Sequence, residues 1–185
     1  MTIQEHSVTL ISIIVGLGLT EMFGNLHRLI RLRSRVTWDW LPVLWATTLL
    51  VLVVNYWWGL YQGTTGLKQL SNAAQLGLLL VQPLLLFLAV ASAIPNFDPD
   101  EDWDMHRHYG EQRKLFIATF AVYQCVSWTV AFVTGTLGWN IATIARALIL
   151  ALLLMALALN RRWADWIAAS AILVVLVVRM TRQVV

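Results

Sequence analysis

Apolar residues occur in six long runs along the chain, and short polar segments separate one run from the next. The runs cover residues 7–26, 40–60, 72–94, 115–133, 139–159 and 163–178. A helix rises 1.5 Å per residue, so about 20 residues cross the roughly 30 Å hydrocarbon core of a bilayer. Helices satisfy their own backbone hydrogen bonds in lipid, and the sequence has no alternating strand pattern. The pattern therefore predicts an all-α polytopic membrane protein, a single transmembrane domain over residues 1–185 with about six helices in one bundle.

Polar residues and helix breakers mark the ends of the predicted helices. Asp39 precedes the second run in the position of a helix cap, and Pro95 ends the third run. The one long connection is predicted as a cytoplasmic loop over residues 96–113. The first six residues include no Lys or Arg, and no small-residue cleavage site occurs before Glu21. The first run is therefore predicted to be a retained helix rather than a removed signal peptide.

Composition supports a membrane protein and excludes several other classes. The chain is 59% hydrophobic and only 12% charged, whereas a soluble domain carries about 25% charged residues. A net charge of +3 would favour nucleic acid in a soluble protein, but here the basic residues lie between apolar runs, so the predicted partner is the lipid bilayer and not nucleic acid. The single cysteine, Cys125, excludes an intrachain disulfide and a cysteine-based metal cluster, and no cofactor is predicted.

The basic residues also predict the orientation of the helices. Nine follow the first, third and fifth runs: Arg28, Arg31, Arg33, Arg35, Arg107, Arg113, Lys114, Arg161 and Arg162. Three lie on the opposite side: Lys68, Arg179 and Arg182. Because loops rich in Lys and Arg stay in the cytoplasm, both termini are predicted to lie outside.

Aromatic residues cluster near both ends of the predicted helices. They are Trp38, Trp40, Trp45, Trp163 and Trp166 on the predicted cytoplasmic side, and Tyr56, Trp57, Trp58, Tyr61 and Trp139 on the other. Indole and phenol rings favour the headgroup region because they are apolar with one polar atom. We interpret these residues as an aromatic belt, and an aromatic ligand cage is the alternative.

One short pattern occurs twice. Arg35, Asp39 and Trp40 match Arg161, Asp165 and Trp166 at a constant offset along the chain. A duplicated helical hairpin, as in transporters built from repeats, would explain the match. The alternative is that two cytoplasmic turns share the same need for a basic flank, an acidic cap and a Trp anchor.

Six polar residues inside the predicted spans are candidates for a functional site: Glu21, Asn25, Asn55, Gln82, Gln124 and Arg146. A charge at the middle of a membrane helix costs about 2.5–3.5 kcal/mol on insertion scales, so such residues usually face protein or water. One interpretation is a polar transport pathway, with Glu21 as the acidic group or proton carrier and Arg146 as its counter-charge or an anion contact. The alternative is a buried structural pair between Glu21 and Arg146, with the amides as hydrogen bonds between helices.

Small residues recur at every fourth position of the first run, at Ser12, Gly16, Thr20 and Gly24. Such a ladder lets another helix approach closely and is predicted to be a helix-packing surface. The second helix could belong to the same chain or to another subunit.

The acidic segment before the fourth run was compared with known metal-binding patterns. Asp100, Asp102, Asp104 and Glu111 match four ligand positions of a calcium loop, but Met105 replaces the required glycine. His106 and His108 could bind a transition metal, although His-x-His alone is a weak pattern. A solvated acidic loop that docks against lipid or a partner is the preferred interpretation, so no metal site is predicted.

Two segments resemble bacterial six-helix inner-membrane proteins of unknown function. They are Gly16–Glu21 and His108–Phe116, the entry into the fourth run. The resemblance implies a bacterial inner membrane and brings no activity with it. The sequence also has no nucleophile elbow, HExxH, Walker loop or dinucleotide fingerprint, so no enzyme is predicted.

These observations predict a small membrane transport protein, an ion or proton channel or transporter with a polar mid-membrane site. The thin bundle favours a homo-oligomer. The alternative is a non-catalytic accessory or structural subunit that docks against other membrane subunits of a larger complex.

Overall fold

The computed structural model describes residues 3–61, 73–94, 103–135, 137–138 and 141–184. Within these ranges there are six α-helices: α1 Ile3–Arg31, α2 Trp40–Tyr61, α3 Ala73–Ala93, α4 Met105–Val133, α5 Ile141–Leu159 and α6 Arg162–Val184. Each contains a segment long and apolar enough to cross a membrane. The predicted all-α membrane fold is therefore confirmed.

Three helices extend further than the apolar runs predict. α4 begins at Met105, inside the predicted loop 96–113, while α1 continues to Arg31 and α6 to Val184. α4 has 29 residues, which at 1.5 Å per residue is longer than the roughly 30 Å hydrocarbon core. The length of an apolar run reflects the thickness of the hydrocarbon core. The helix itself can continue beyond the core, where its side chains are polar. The predicted loop is therefore wrong from Met105 onward, and residues 96–102 lie outside the described part of the chain.

The connections after α1, α3 and α5 lie at one end of the bundle. β1, Val36–Thr37, pairs in parallel with β2, Trp103–Asp104, and so joins the first two of these connections. An ion pair between Asp39 and Arg162 brings the start of α6 to the same end. We call this the basic end. The start of α1 and the end of α6 lie at the opposite end, which we call the terminal end.

Five of the six helices form a closed ring. Each helix from α2 to α6 contacts the next, and α6 packs against α2 to close the ring. α2 and α6 pack in parallel, because two hydrogen bonds between them have the same separation of 121 residues along the chain. The Thr48 hydroxyl donates to the Ala169 carbonyl and Asn55 Nδ2 donates to the Leu176 carbonyl, both at 3.4 Å. α1 lies outside the ring, mainly against α3. Residues on the inner faces of α2 to α6 are therefore the ones that can share a common interior.

An apolar layer crosses the middle of the ring. Each ring helix contributes one fully or almost fully buried side chain to it: Leu49, Leu86, Phe120, Leu153 and Ile172. These side chains belong to one continuous hydrophobic cluster. The interior of the ring is therefore apolar at these positions, and we call these five side chains the apolar layer.

The small-residue ladder of α1 faces away from the ring. Gly16, Thr20 and Gly24 are exposed, and a Cβ atom added at either glycine would meet no atom within 4 Å. Gly18 makes the close helix contact instead, since a Cβ there would lie 3.4 Å from the Phe87 ring on α3. The prediction that the ladder packs against another helix of the same chain is therefore wrong for Gly16 and Gly24. Ser12 is partly buried.

The tryptophans of the basic end fall into two groups. Trp40 is 67% exposed and Trp163 is 52% exposed, as an aromatic belt requires. Trp45 is fully buried, so its assignment to the belt is wrong. Its indole packs edge-on against Phe116 and Phe120, with ring centroids 5.2 and 6.3 Å away. Cys125, which lies within the fourth apolar run, is exposed.

Candidate functional site: a polar cavity inside the helix ring

A partly open polar cavity of about 70 Å³ lies inside the ring. All five ring helices line it, and most of its polar side chains belong to the halves of the helices nearer the terminal end. They are Asn55, Tyr56, Gln82, Tyr123, Gln124, Ser127, Arg146 and Arg179. Since a water molecule takes up about 30 Å³ in the liquid, the cavity has room for roughly two waters or one small solute. On each ring helix, the residue of the apolar layer lies nearer the basic end than the polar side chains of the cavity.

Four of the six polar residues predicted from the sequence meet in this cavity. Asn55 comes from α2, Gln82 from α3, Gln124 from α4 and Arg146 from α5. On α4 the lining continues at Ser127 and Val130, at the spacing that places residues on one face of a helix. These four residues therefore share one cavity, and all of them belong to helices of the ring.

The amide of Asn55 is held rigidly at the cavity wall. Its Nδ2 donates to the carbonyls of Val51 at 2.9 Å and Leu176 at 3.4 Å. Asn55 is only 3% exposed, and its Oδ1 is buried without a hydrogen-bond partner. An unpaired buried acceptor costs about 1–3 kcal/mol, so Asn55 is a costly residue at this position of the cavity wall.

Gln82 and Gln124 present free amides to the same space. Both residues are buried, yet neither side chain hydrogen-bonds to another group in the described part of the chain. Each amide carries two donors and one acceptor oxygen. They are therefore available to a bound solute and do not act as hydrogen bonds between helices.

Arg179 was missed by the sequence analysis, which assigned it to the flank of the sixth span. It lies on the face of α6 that buries Ala168, Ile172 and Leu176, one turn further along. Its Nε is buried without a partner. The sequence shows the helical spacing of Arg179 from these residues but not which face of α6 is buried, so it could not place Arg179 inside the ring.

Glu21 and Asn25 do not belong to the cavity. Both lie on α1, outside the ring, and Glu21 is exposed. Asn25 Nδ2 donates to Glu21 Oε1 at 3.3 Å and to the Ile94 carbonyl at 3.4 Å, which fastens α1 to the end of α3. The predicted pair between Glu21 and Arg146 is therefore wrong, because α1 packs outside the ring whereas Arg146 of α5 lines the cavity inside it.

A buried ion pair holds the basic end together. Asp165 is fully buried in the first turn of α6, and its carboxylate accepts two hydrogen bonds from Arg113 of α4, at 2.5 and 2.7 Å. The Arg113 guanidinium also donates to Asn160 Oδ1 and to the Ala156 carbonyl, both at 2.6 Å. Asn160 ends α5 with a φ of 47°, a conformation that asparagine tolerates better than most residues. One arginine thus joins α4, α5 and α6.

A second network lies at the surface of the basic end. Asp39 caps α2 as predicted, because its Oδ1 accepts from the Leu41 N–H at 3.0 Å. Its Oδ2 accepts from Arg162, which also contacts the His106 ring. Deeper in the bundle, Trp45 Nε1 donates to the Tyr109 hydroxyl at 3.0 Å. These contacts join α2, α4 and α6 at the basic end of the ring.

The calcium-loop alternative is contradicted by the start of α4. Asp104 is the N-cap of α4, and its carboxylate accepts from the backbone N–H groups of His106 and Arg107. Residues 105–111 form the first two turns, whereas a calcium loop needs them in loop conformation. Glu111 pairs with Arg107 on the helix surface.

The transition-metal alternative gains no support from the described side chains. His106 and His108 are two residues apart on a helix and do not face one another. Among the residues that the structure describes, no group of three potential metal ligands occurs. Asp100 and Asp102 lie outside them.

Comparison with protein-family models, curated proteins and solved structures found no match to this chain. The resemblance to bacterial six-helix proteins therefore stays a prediction. Function has to be inferred from the cavity itself.

Proposed function

We propose that this integral membrane protein is a small transport protein whose solute occupies the polar cavity inside the helix ring. The supporting observation is the meeting of Asn55, Gln82, Gln124 and Arg146 in one partly open space. A purely structural role for these amides would pair them with one another or with backbone groups. Instead, Gln82 and Gln124 have no such partner among the described residues.

In this proposal the solute enters from the terminal end. It exchanges its hydration shell for the side chains of the cavity, which lowers the energy of a polar solute at this depth. Release at the basic end requires the apolar layer and the contacts of Arg113 with Asp165 to separate. The solute is therefore exposed to one side of the membrane at a time, as in a carrier rather than an open channel.

Flux through reconstituted protein tests the proposal. Purified protein in liposomes should carry at least one of four probes, namely protons, potassium, chloride or formate, faster than empty liposomes do. Gln82→Leu and Gln124→Leu should each lower that flux about tenfold, because each removes hydrogen bonds to a desolvated solute. Glu21→Gln is the matched control, since Glu21 lies outside the ring, and its flux should equal that of the wild type.

Absence of flux for all four probes would contradict transport of small ions. Wild-type flux in both leucine variants would contradict the cavity as the route. If only Glu21→Gln lowered the flux, the result would instead indicate a pathway along the outer face of α1.

The accessory-subunit alternative is favoured by one observation. Glu21 and the glycines of the small-residue ladder are exposed on α1, where a neighbouring subunit could cover them. The same flux assay discriminates, because a purified chain that transports alone needs no other subunit. The bacterial inner membrane and the outside position of both termini remain part of the proposal.

A further inference from the structure

The described charged residues of the cavity wall all have one sign. They are Arg146 and Arg179, and none of the carboxylates that the structure describes lines the cavity. The acids whose side chains the structure describes lie elsewhere, with Glu21 outside the ring and the others at the basic end: Asp39, Asp104, Glu111 and Asp165. Within the described chain, neither cavity arginine therefore has an acidic partner.

Burial makes this charge imbalance costly. The Nε of Arg179 is shielded from solvent and has no hydrogen-bond partner, and Arg146 is half-buried. Both arginines line the same small cavity, so their like charges repel one another. Charged groups at this depth in a membrane protein usually pair with an opposite charge or face water, and here the opposite charge is not supplied by the described chain.

We propose that the cavity is a binding site for a small monovalent anion, such as a halide or a short carboxylate, held between Arg146 and Arg179. This inference rests on the proposed function only in taking the cavity as the solute site. Guanidinium groups form strong charge-assisted hydrogen bonds with such anions. The amides of Gln82 and Gln124 and the hydroxyl of Ser127 add neutral donors to the same space.

The size of the cavity limits the anion. A volume of about 70 Å³ accepts chloride, nitrate or formate, since it corresponds to roughly two water molecules. Gluconate is too large to enter. Two positive charges without a carboxylate also select against potassium and other cations, because like charges repel strongly where water is scarce.

Thermal unfolding of the purified protein in detergent measures this binding. At constant ionic strength, replacing gluconate by chloride or formate should raise the unfolding midpoint, because a ligand that binds only the folded state stabilises it. Replacing sodium by potassium should leave the midpoint unchanged. Arg146→Gln and Arg179→Gln should each raise the half-saturating anion concentration at least tenfold, since each removes a charged hydrogen-bond donor.

Two further variants keep the test decisive if a glutamine variant does not fold. Arg107→Gln removes an exposed arginine of α4 and should bind anions as the wild type does. Ser127→Phe fills the cavity without removing a charge and should abolish the anion-dependent shift. A midpoint that follows the cation, or wild-type anion affinity in Arg146→Gln, Arg179→Gln or Ser127→Phe, would overturn the anion site.

Flux in liposomes separates this inference from the proposed function. Anion binding that depends on Arg146 and Arg179, without flux of any probe, would leave the anion site standing and refute transport. Proton or potassium flux without chloride or formate flux would support transport and refute the anion site. Chloride or formate flux that falls in the two glutamine variants supports both.

Discussion

Replacing Arg113 with methionine should lower the free energy of unfolding by about 3–5 kcal/mol. Methionine fills much of the same volume but leaves the fully buried carboxylate of Asp165 without its two hydrogen bonds. An uncompensated charge in such a position is far more costly than the intact pair. Equilibrium unfolding in mixed detergent and SDS measures the change.

Two companion variants show whether the buried charge is the cause. The double variant Arg113→Met with Asp165→Leu removes both charges and should recover most of the lost stability, because an apolar pair can replace a buried ion pair. Arg107→Met removes an arginine of the same helix whose ion pair with Glu111 is exposed, and should change little. Equal losses for Arg107→Met and Arg113→Met would contradict this account of the basic end.

Replacing Trp45 with alanine should lower the free energy of unfolding by about 3 kcal/mol or more. The indole is fully buried between Phe116 and Phe120, so its removal leaves a cavity lined by aromatic rings that lose their contacts. The Tyr109 hydroxyl also loses the hydrogen bond that it accepts from Trp45 Nε1. The same unfolding experiment measures the effect.

Trp40 provides the matched control on the same helix. It is largely exposed, so Trp40→Ala leaves no internal cavity and should have a much smaller effect. Trp45→Phe should fall between the two, because it keeps part of the packing and loses the hydrogen bond to Tyr109. If Trp40→Ala were as destabilising as Trp45→Ala, burial of Trp45 in the ring would be contradicted.

Run length predicted the number of spans because hydrocarbon thickness sets the length of each apolar run. The ends of α2, α3 and α5 fall within two residues of the prediction, since polar residues begin close to where the helix stops. α4 departs from it. Its first three turns carry Arg107, Glu111 and Arg113, so composition favours a loop. Even so, Tyr109, Arg113 and Phe116 continue the helical spacing of the buried face.

Depth along a helix could be predicted from the sequence, but the direction of a side chain could not. Three polar residues within the spans illustrate this: Gln82, Gln124 and Glu21. Their positions along the helices do not indicate which of them faces the interior of the bundle. They differ because α3 and α4 belong to the ring while α1 lies outside it. In helices that are apolar on every side, the hydrophobic pattern does not reveal which face turns inward. The ion pair between Arg113 and Asp165 could not be predicted for a related reason, since it depends on how α4 and α6 pack.

Cysteine reactivity at two adjacent positions of α4 tests the water-accessible cavity most directly. Gln124 lines the cavity, whereas the native Cys125 at nearly the same depth is exposed on the outside of the bundle. A thiol reacts as the thiolate, which needs water rather than lipid around it. We predict that Gln124→Cys in a Cys125→Ser background reacts with a small charged thiol reagent added at the terminal-end side, at least tenfold faster than Cys125 does in the wild type. An unreactive Gln124→Cys, or a Cys125 that reacts as fast, would contradict a solvent-accessible site inside the helix ring.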